Sequence, residues 1–109
     1  MLEPLLGMVN AERCLVFILA RDEGYASEIA DFFETSLYGI QRQLDRLENG
    51  GVLVSRKIGR TRMYGFNPRY PFLNELKSLL GKAPDFYSEE EQERLRVHRR
   101  RPSRRGKPL

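Results

Sequence analysis

Between residues 37 and 47 the apolar positions Leu37, Ile40, Leu44 and Leu47 recur at intervals of three, four and three. That spacing sets one stripe of a helix against a core and turns Tyr38, Gln41, Gln43, Asp45 and Arg46 elsewhere. Thr35-Ser36 supplies a cap, and Asn49-Gly50-Gly51 ends the helix. The period then shortens. Residues 52–58 read as a strand, Gly59-Arg60-Thr61 as its turn, and residues 62–66, with Met63, Tyr64 and Phe66, as the return strand of a hairpin. Upstream, Asn10 caps an apolar stretch that runs to Arg21-Asp22-Glu23-Gly24 and reads as a buried first helix. Residues 26–33 set Ile29, Ala30 and Phe33 opposite Glu28, Asp31 and Glu34, a short amphipathic second helix. Downstream, Asn67-Pro68 and Tyr70-Pro71 break the chain before Phe72, Leu73, Leu76, Leu79 and Leu80 form a last amphipathic helix ending at Gly81.

The predicted order is three helices, a hairpin and a closing helix: a mainly α chain with a small β-hairpin, an α+β winged helix-turn-helix. It divides into an N-terminal arm (1–9), the domain with its closing helix (10–81) and a charged tail (82–109). Beyond Pro84, Ser88 caps a run of acids, where at most a short, fraying helix is expected before a disordered basic end.

Charge sharpens this reading. The 109 residues carry a net charge of +4, with all fifteen acids before residue 94. Residues 94–109 hold eight bases and no acid, so the tail alone makes the chain basic. Between Ser36 and Arg69, seven bases stand against two acids, and this basic segment coincides with the periodic helix and hairpin. One cysteine, Cys14, excludes an internal disulfide; it lies within the apolar run and reads as packing rather than as a redox group. With a single histidine, no cluster has metal-ligand spacing, so neither a metal nor another cofactor is expected. The longest uninterrupted apolar run, Cys14 to Ala20, falls well short of the ~20 residues that span a bilayer, and a soluble, cytoplasmic protein is expected without a membrane partner. No Ser/His/Asp or Cys/His set and no phosphate loop occurs, so an enzyme is not expected.

The segments "IA" in the second helix, "R.L..LE..G.L" in the third and "GR.R.Y..N" in the hairpin resemble those of bacterial ArsR-type and MarR-type transcription regulators, over residues 10 to 81. The ending "NP.YP....L..LL" is similar to ArsR-like regulators found beside nucleotidyltransferase domains, which implies a nucleotidyltransferase-type or other regulatory protein as a further partner. The chain departs from metal-sensing members in lacking their cysteine and histidine ligands. The resemblance therefore implies DNA binding but names no signal.

The residues support the same expectation. A helix fits the major groove of B-DNA, and its exposed N-terminal residues reach base edges. The candidate contacts are Ser36, Leu37, Tyr38, Gln41, Arg42 and Arg46 on the third helix, with Arg56, Lys57, Arg60 and Arg62 on the hairpin. Plainer roles stand beside these. Ser36 is first a cap, Leu37 suits a core, Arg42 can pair with Asp45, and only one of Arg56 and Lys57 can face a given side of a strand. Tyr64 and Phe66 read as core. One recognition helix reads too few base pairs to find a genomic site, so a homodimer is expected, with Leu5 and Leu6 of the arm and Phe72, Leu73, Leu76, Leu79 and Leu80 of the closing helix as its surface. The expected function is a sequence-specific double-stranded DNA-binding regulator acting as a repressor. The rival classes are a winged-helix protein-interaction module and an RNA-binding protein using the basic tail.

Overall fold

The computed structural model describes residues 1–99. The elements follow in the order α1 (Glu3–Leu6), α2 (Val9–Arg21), β1 (Glu23–Tyr25), α3 (Ala26–Phe33), α4 (Leu37–Asn49), β2 (Leu53–Ile58), β3 (Thr61–Phe66), α5 (Leu73–Lys82), a 3-10 turn (Ala83–Phe86) and α6 (Glu89–Arg99). The antiparallel sheet has the order β1-β3-β2. With its α3–α4 pair and β2–β3 wing, the chain is an α+β winged helix-turn-helix.

Helix α2 occupies the centre. Cys14, Leu15, Phe17 and Ile18 are fully or almost fully buried and meet Ile29 of α3, Ile40 and Leu44 of α4, Leu53 of β2, Tyr64 of β3 and Leu80 of α5. Of the apolar stripe expected on α4, Ile40, Leu44 and Leu47 are buried, whereas Leu37 is 52% exposed at the helix start. On α3 it is Phe32 rather than Phe33 that enters the core, its ring edge-on to Phe17 with centroids 5.4 Å apart. Phe33 is half-buried and packs edge-on to Phe32 at 4.8 Å.

Three elements depart from expectation. Strand β1 is three residues long and exists through its partner, pairing Gly24 with Tyr64. A Cβ on Gly24 would lie 2.8 Å from the buried Phe17 ring, so the strand can approach α2 only at a glycine. The arm contains its own short helix, and α2 begins at Val9, with Met8 rather than Asn10 at its cap position. Beyond the expected boundary at residue 82 the chain folds back onto α2. Ser88 does cap α6: its Oγ accepts from the Glu91 amide at 3.2 Å, and Glu91 Oε1 accepts from the Ser88 amide at 3.2 Å. From α6, Leu95 enters the core. Arg94 stacks on Phe32, 4.6 Å from its centroid, and donates to the Phe32 carbonyl near the end of α3. Leu95 and Arg94 thus help to dock a helix that composition alone marks as solvated. The expectation of disorder in the remaining basic run falls on residues 100–109, which lie outside the described residues.

Glu12 fastens the N-terminus, and Tyr87 between the 3-10 turn and α6, to this core. Its carboxylate is buried and accepts from the Leu2 amide (2.7 Å), the Met1 amino group (3.1 Å) and the Tyr87 hydroxyl. Among the described residues, no helix is long and apolar enough to cross a membrane.

Candidate nucleic-acid interface

Helix α4 divides its circumference four ways. The core side carries Ile40, Leu44 and Leu47. The flank toward the arm carries Gly39, Gln43 and Arg46: a Cβ on Gly39 would meet the Asn10 amide at 2.8 Å, buried Gln43 donates to Met8 Sδ (3.4 Å), and Arg46 donates to Gln43 Oε1 (2.9 Å) and to the Leu6 carbonyl (3.2 Å). The flank toward the wing carries Gln41, Asp45 and Glu48. Tyr38, Arg42 and Asn49 complete the turn on the exposed side.

This partition revises the expected contacts. Ser36 is the N-cap, its Oγ accepting from Gly39 N at 3.5 Å, and sits in the exposed turn between α3 and α4. Tyr38 is 69% exposed, and Arg42 is its neighbour one turn on. Arg42 donates to the Tyr38 hydroxyl (3.2 Å), its guanidinium 5.6 Å from that ring's centroid. The alternative pairing of Arg42 with Asp45 is not what the chain adopts; Asp45 accepts from Gln41 instead. The candidate Arg46 is exposed, and its guanidinium ties the arm to α4. Gln41 is half-buried and bonded within the chain rather than projecting freely.

The wing's register sorts its cations. Val54, Arg56 and Ile58 alternate with Leu53, Ser55 and Lys57 along β2, and Lys57 lies opposite Arg62 of β3. The Leu53–Ser55–Lys57 side is the α4 side, because Leu53 is in the core and the Ser55 hydroxyl donates to Glu48 of α4 at 2.7 Å. Arg62 donates to Ser55 Oγ at 3.0 Å on that same side. The candidate Arg56 lies on the other face, where it is exposed and pairs with Glu23 of β1 at 3.0 Å. Arg60 stands at the tip, where Gly59 at φ +63° opens a two-residue turn of the type II′ pattern. Lys57, Arg60 and Arg62 are exposed.

Tyr64 is buried, with its hydroxyl reaching the wing-facing flank of α4. Gln41 Nε2 donates to that hydroxyl (3.1 Å) and to Asp45 Oδ1 (3.0 Å), while the hydroxyl donates to Asp45 Oδ1 at 3.4 Å. Burial, opposed by the Gln41 hydrogen bond, pushes the phenol above its ordinary value, so it remains a neutral O–H near neutral pH. Sequence reasoning saw Tyr64 as core and missed the network. The signal was present in the spacing of Gln41, Asp45 and Glu48, three polar residues on one flank of a helix that precedes a strand.

Of the expected dimer surface, Leu5 and Phe72 are 67% and 62% exposed, and Leu6, Leu73, Leu76 and Leu79 are half-buried. Leu80 is removed from that surface, because it is fully buried in the core against α2. Cys14 donates weakly to the Ile40 carbonyl at 3.9 Å, and burial pushes its thiol up to about 12, which disfavours the reactive thiolate. Among the described residues, no group of three or more His, Cys, Asp or Glu side chains could hold a metal ion.

The architecture belongs to the winged helix-turn-helix class. It is similar to a mutant of ZitR from Lactococcus lactis, with TM-score 0.51, 16% identity, and 79% of this chain and 66% of that chain covered. It is also similar to the same mutant in apo form, with TM-score 0.50, 16% identity, and 84% and 78% covered. This chain thus spans about two thirds of the first ZitR chain, and the likeness is one of fold. No family model and no curated protein matches the sequence.

Proposed function

We propose that the chain is a sequence-specific double-stranded DNA-binding transcriptional regulator, a repressor that works as a homodimer. One observation carries the reading. The outward pair Tyr38–Arg42 is exposed on α4, Lys57 and Arg62 stand on the side of the wing that touches α4, and Arg60 stands at its tip. A helix surface with hydrogen-bonding side chains beside cations that form no ion pair among the described residues suits a groove flanked by phosphates. The likeness to ZitR supports the fold that such a use requires. The discriminating experiment is a gel-shift series of the purified chain against duplex DNA and single-stranded RNA over one range of salt. Preferential retardation of duplex is expected; retardation of RNA alone would overturn the reading.

The wing supplies grip without readout. Arg60→Ala with Arg62→Ala is expected to weaken binding to all duplexes alike and to lower the slope of log K against log salt by up to about 2, near 0.9 per lost phosphate contact. Loss confined to the preferred sequence would assign base readout to the wing.

For the homodimer, Leu5 on the arm and Phe72 before α5 are large apolar side chains left to water, and both sit outside the core. Sedimentation is expected to give a dimer at micromolar concentration, and Phe72→Glu a folded monomer. A wild-type monomer at that concentration would contradict it. Phe72 is the better probe than Leu76, whose side chain packs against the core.

A further inference from the structure

The proposed DNA reading leaves open how a half-buried glutamine on the wing-facing flank of α4 contributes to recognition. The Asp45 carboxylate oxygen accepts, so the Gln41 amide turns its NH2 toward it; the opposite orientation would set two oxygens together. With that orientation fixed, one N–H goes to Asp45 Oδ1 at 3.0 Å and the other to the Tyr64 hydroxyl at 3.1 Å. The hydroxyl in turn donates its own proton toward Asp45 at 3.4 Å. Both amide protons are therefore spent inside the protein. Only the carbonyl oxygen Oε1 is left for a partner outside it. The Tyr64 ring is 1% exposed, and its strand pairs with both β1 and β2, so the hydroxyl is held in place by the core and the sheet.

We propose that Tyr64 is a specificity-positioning residue: through its hydroxyl it holds the Gln41 amide as a pure acceptor, so that α4 favours a base presenting an amino group at that position. In the major groove those bases are adenine, through N6, and cytosine, through N4; guanine and thymine present oxygen acceptors. The usual bidentate pairing of glutamine with adenine needs an N–H as well as the oxygen, and this network denies it. Wing and recognition helix are thereby joined by a bond that sets what the helix can read. The inference rests on the proposed reading that α4 enters a DNA groove.

The test is selection of bound sequences from random duplex DNA, run in parallel with wild type, Gln41→Ala and Tyr64→Phe, followed by affinity measurements on the selected duplexes. Wild type is expected to restrict one position per half-site to adenine or cytosine. Gln41→Ala should lose that restriction and bind the preferred duplex about five- to tenfold more weakly. Tyr64→Phe keeps the buried ring and removes only the hydroxyl; it should free an amide proton and shift that position toward adenine or relax it, with the other positions unchanged. A change of base preference is a readout that loss of stability alone does not produce. Should Tyr64→Phe fail to fold, Asp45→Ala, at an exposed position, removes the acceptor that forces the amide orientation and should relax the same position. Loss of preference in Gln41→Ala with none in Tyr64→Phe and Asp45→Ala would overturn the proposal while leaving DNA binding intact, as would unchanged preference in all the variants. A wild type that enriches no duplex sequence would overturn the underlying reading itself.

Discussion

Glu12→Ala is expected to cost about 3 kcal/mol of folding stability and to lower the melting temperature by roughly 15 °C in a domain of this size. The residue reads in the sequence as an ordinary acid in the first turn of α2, yet its side chain is buried and serves donors from the N-terminus and from Tyr87. Removing it takes away the acceptor that serves the Leu2 amide and the Tyr87 hydroxyl, and opens a space beside them. A buried donor left unsatisfied costs about 1–3 kcal/mol, more than the net gain of an ordinary hydrogen bond, which is why the deletion outweighs a surface change. Glu12→Gln should cost about half as much, because a carbonyl oxygen remains and the Tyr87 hydroxyl can rotate to accept from the new NH2. Chemical denaturation of the three proteins checks the order wild type, glutamine, alanine. A loss below about 1 kcal/mol for alanine would show that the arm and the 3-10 turn do not depend on this anchor.

The second large effect is on binding. Arg42→Ala is expected to weaken the preferred duplex by about 1–3 kcal/mol and to relax preference at one or two base pairs in each half-site. Arg42 lies on the exposed side of α4, its guanidinium joined to the Tyr38 hydroxyl and to no carboxylate among the described residues. That leaves most of its donors available for a guanine edge. Arg46, one turn further along but committed to the Leu6 carbonyl, provides the internal comparison. Arg46→Ala should loosen the arm and leave base preference unchanged. Equal loss of preference in both variants would mean that the outward face had been assigned wrongly.

The contrast between these residues shows where sequence suffices. Helix α3 and the body of α4 were legible because each carries its own apolar period, and the wing because glycine marks its turn. The strand β1 was not, since three residues carry no period and form a strand only by pairing with β3. Helix α6 was obscured by its own charge, its single buried leucine having no repeat to announce it. At the candidate interface, period identified which residues leave the core but not which neighbour claims them. Arg42, Arg46 and Arg56 look alike in the chain; the arm takes one, β1 takes another, and Arg42 bonds to Tyr38 of its own helix. The role of Glu12 depends on Tyr87, a partner 75 residues away, a distance over which local pattern says nothing.

The most direct measurement of whether α4 reads duplex DNA is selection from a random duplex pool at fixed salt, with sequencing of the bound fraction. A homodimer with one recognition helix per subunit should enrich an inverted repeat, its half-site centres about 10 base pairs apart or a multiple of that. Arg42→Ala should blur that repeat. A bound pool indistinguishable from the input, or one enriched equally by wild type and Arg42→Ala, would contradict the account.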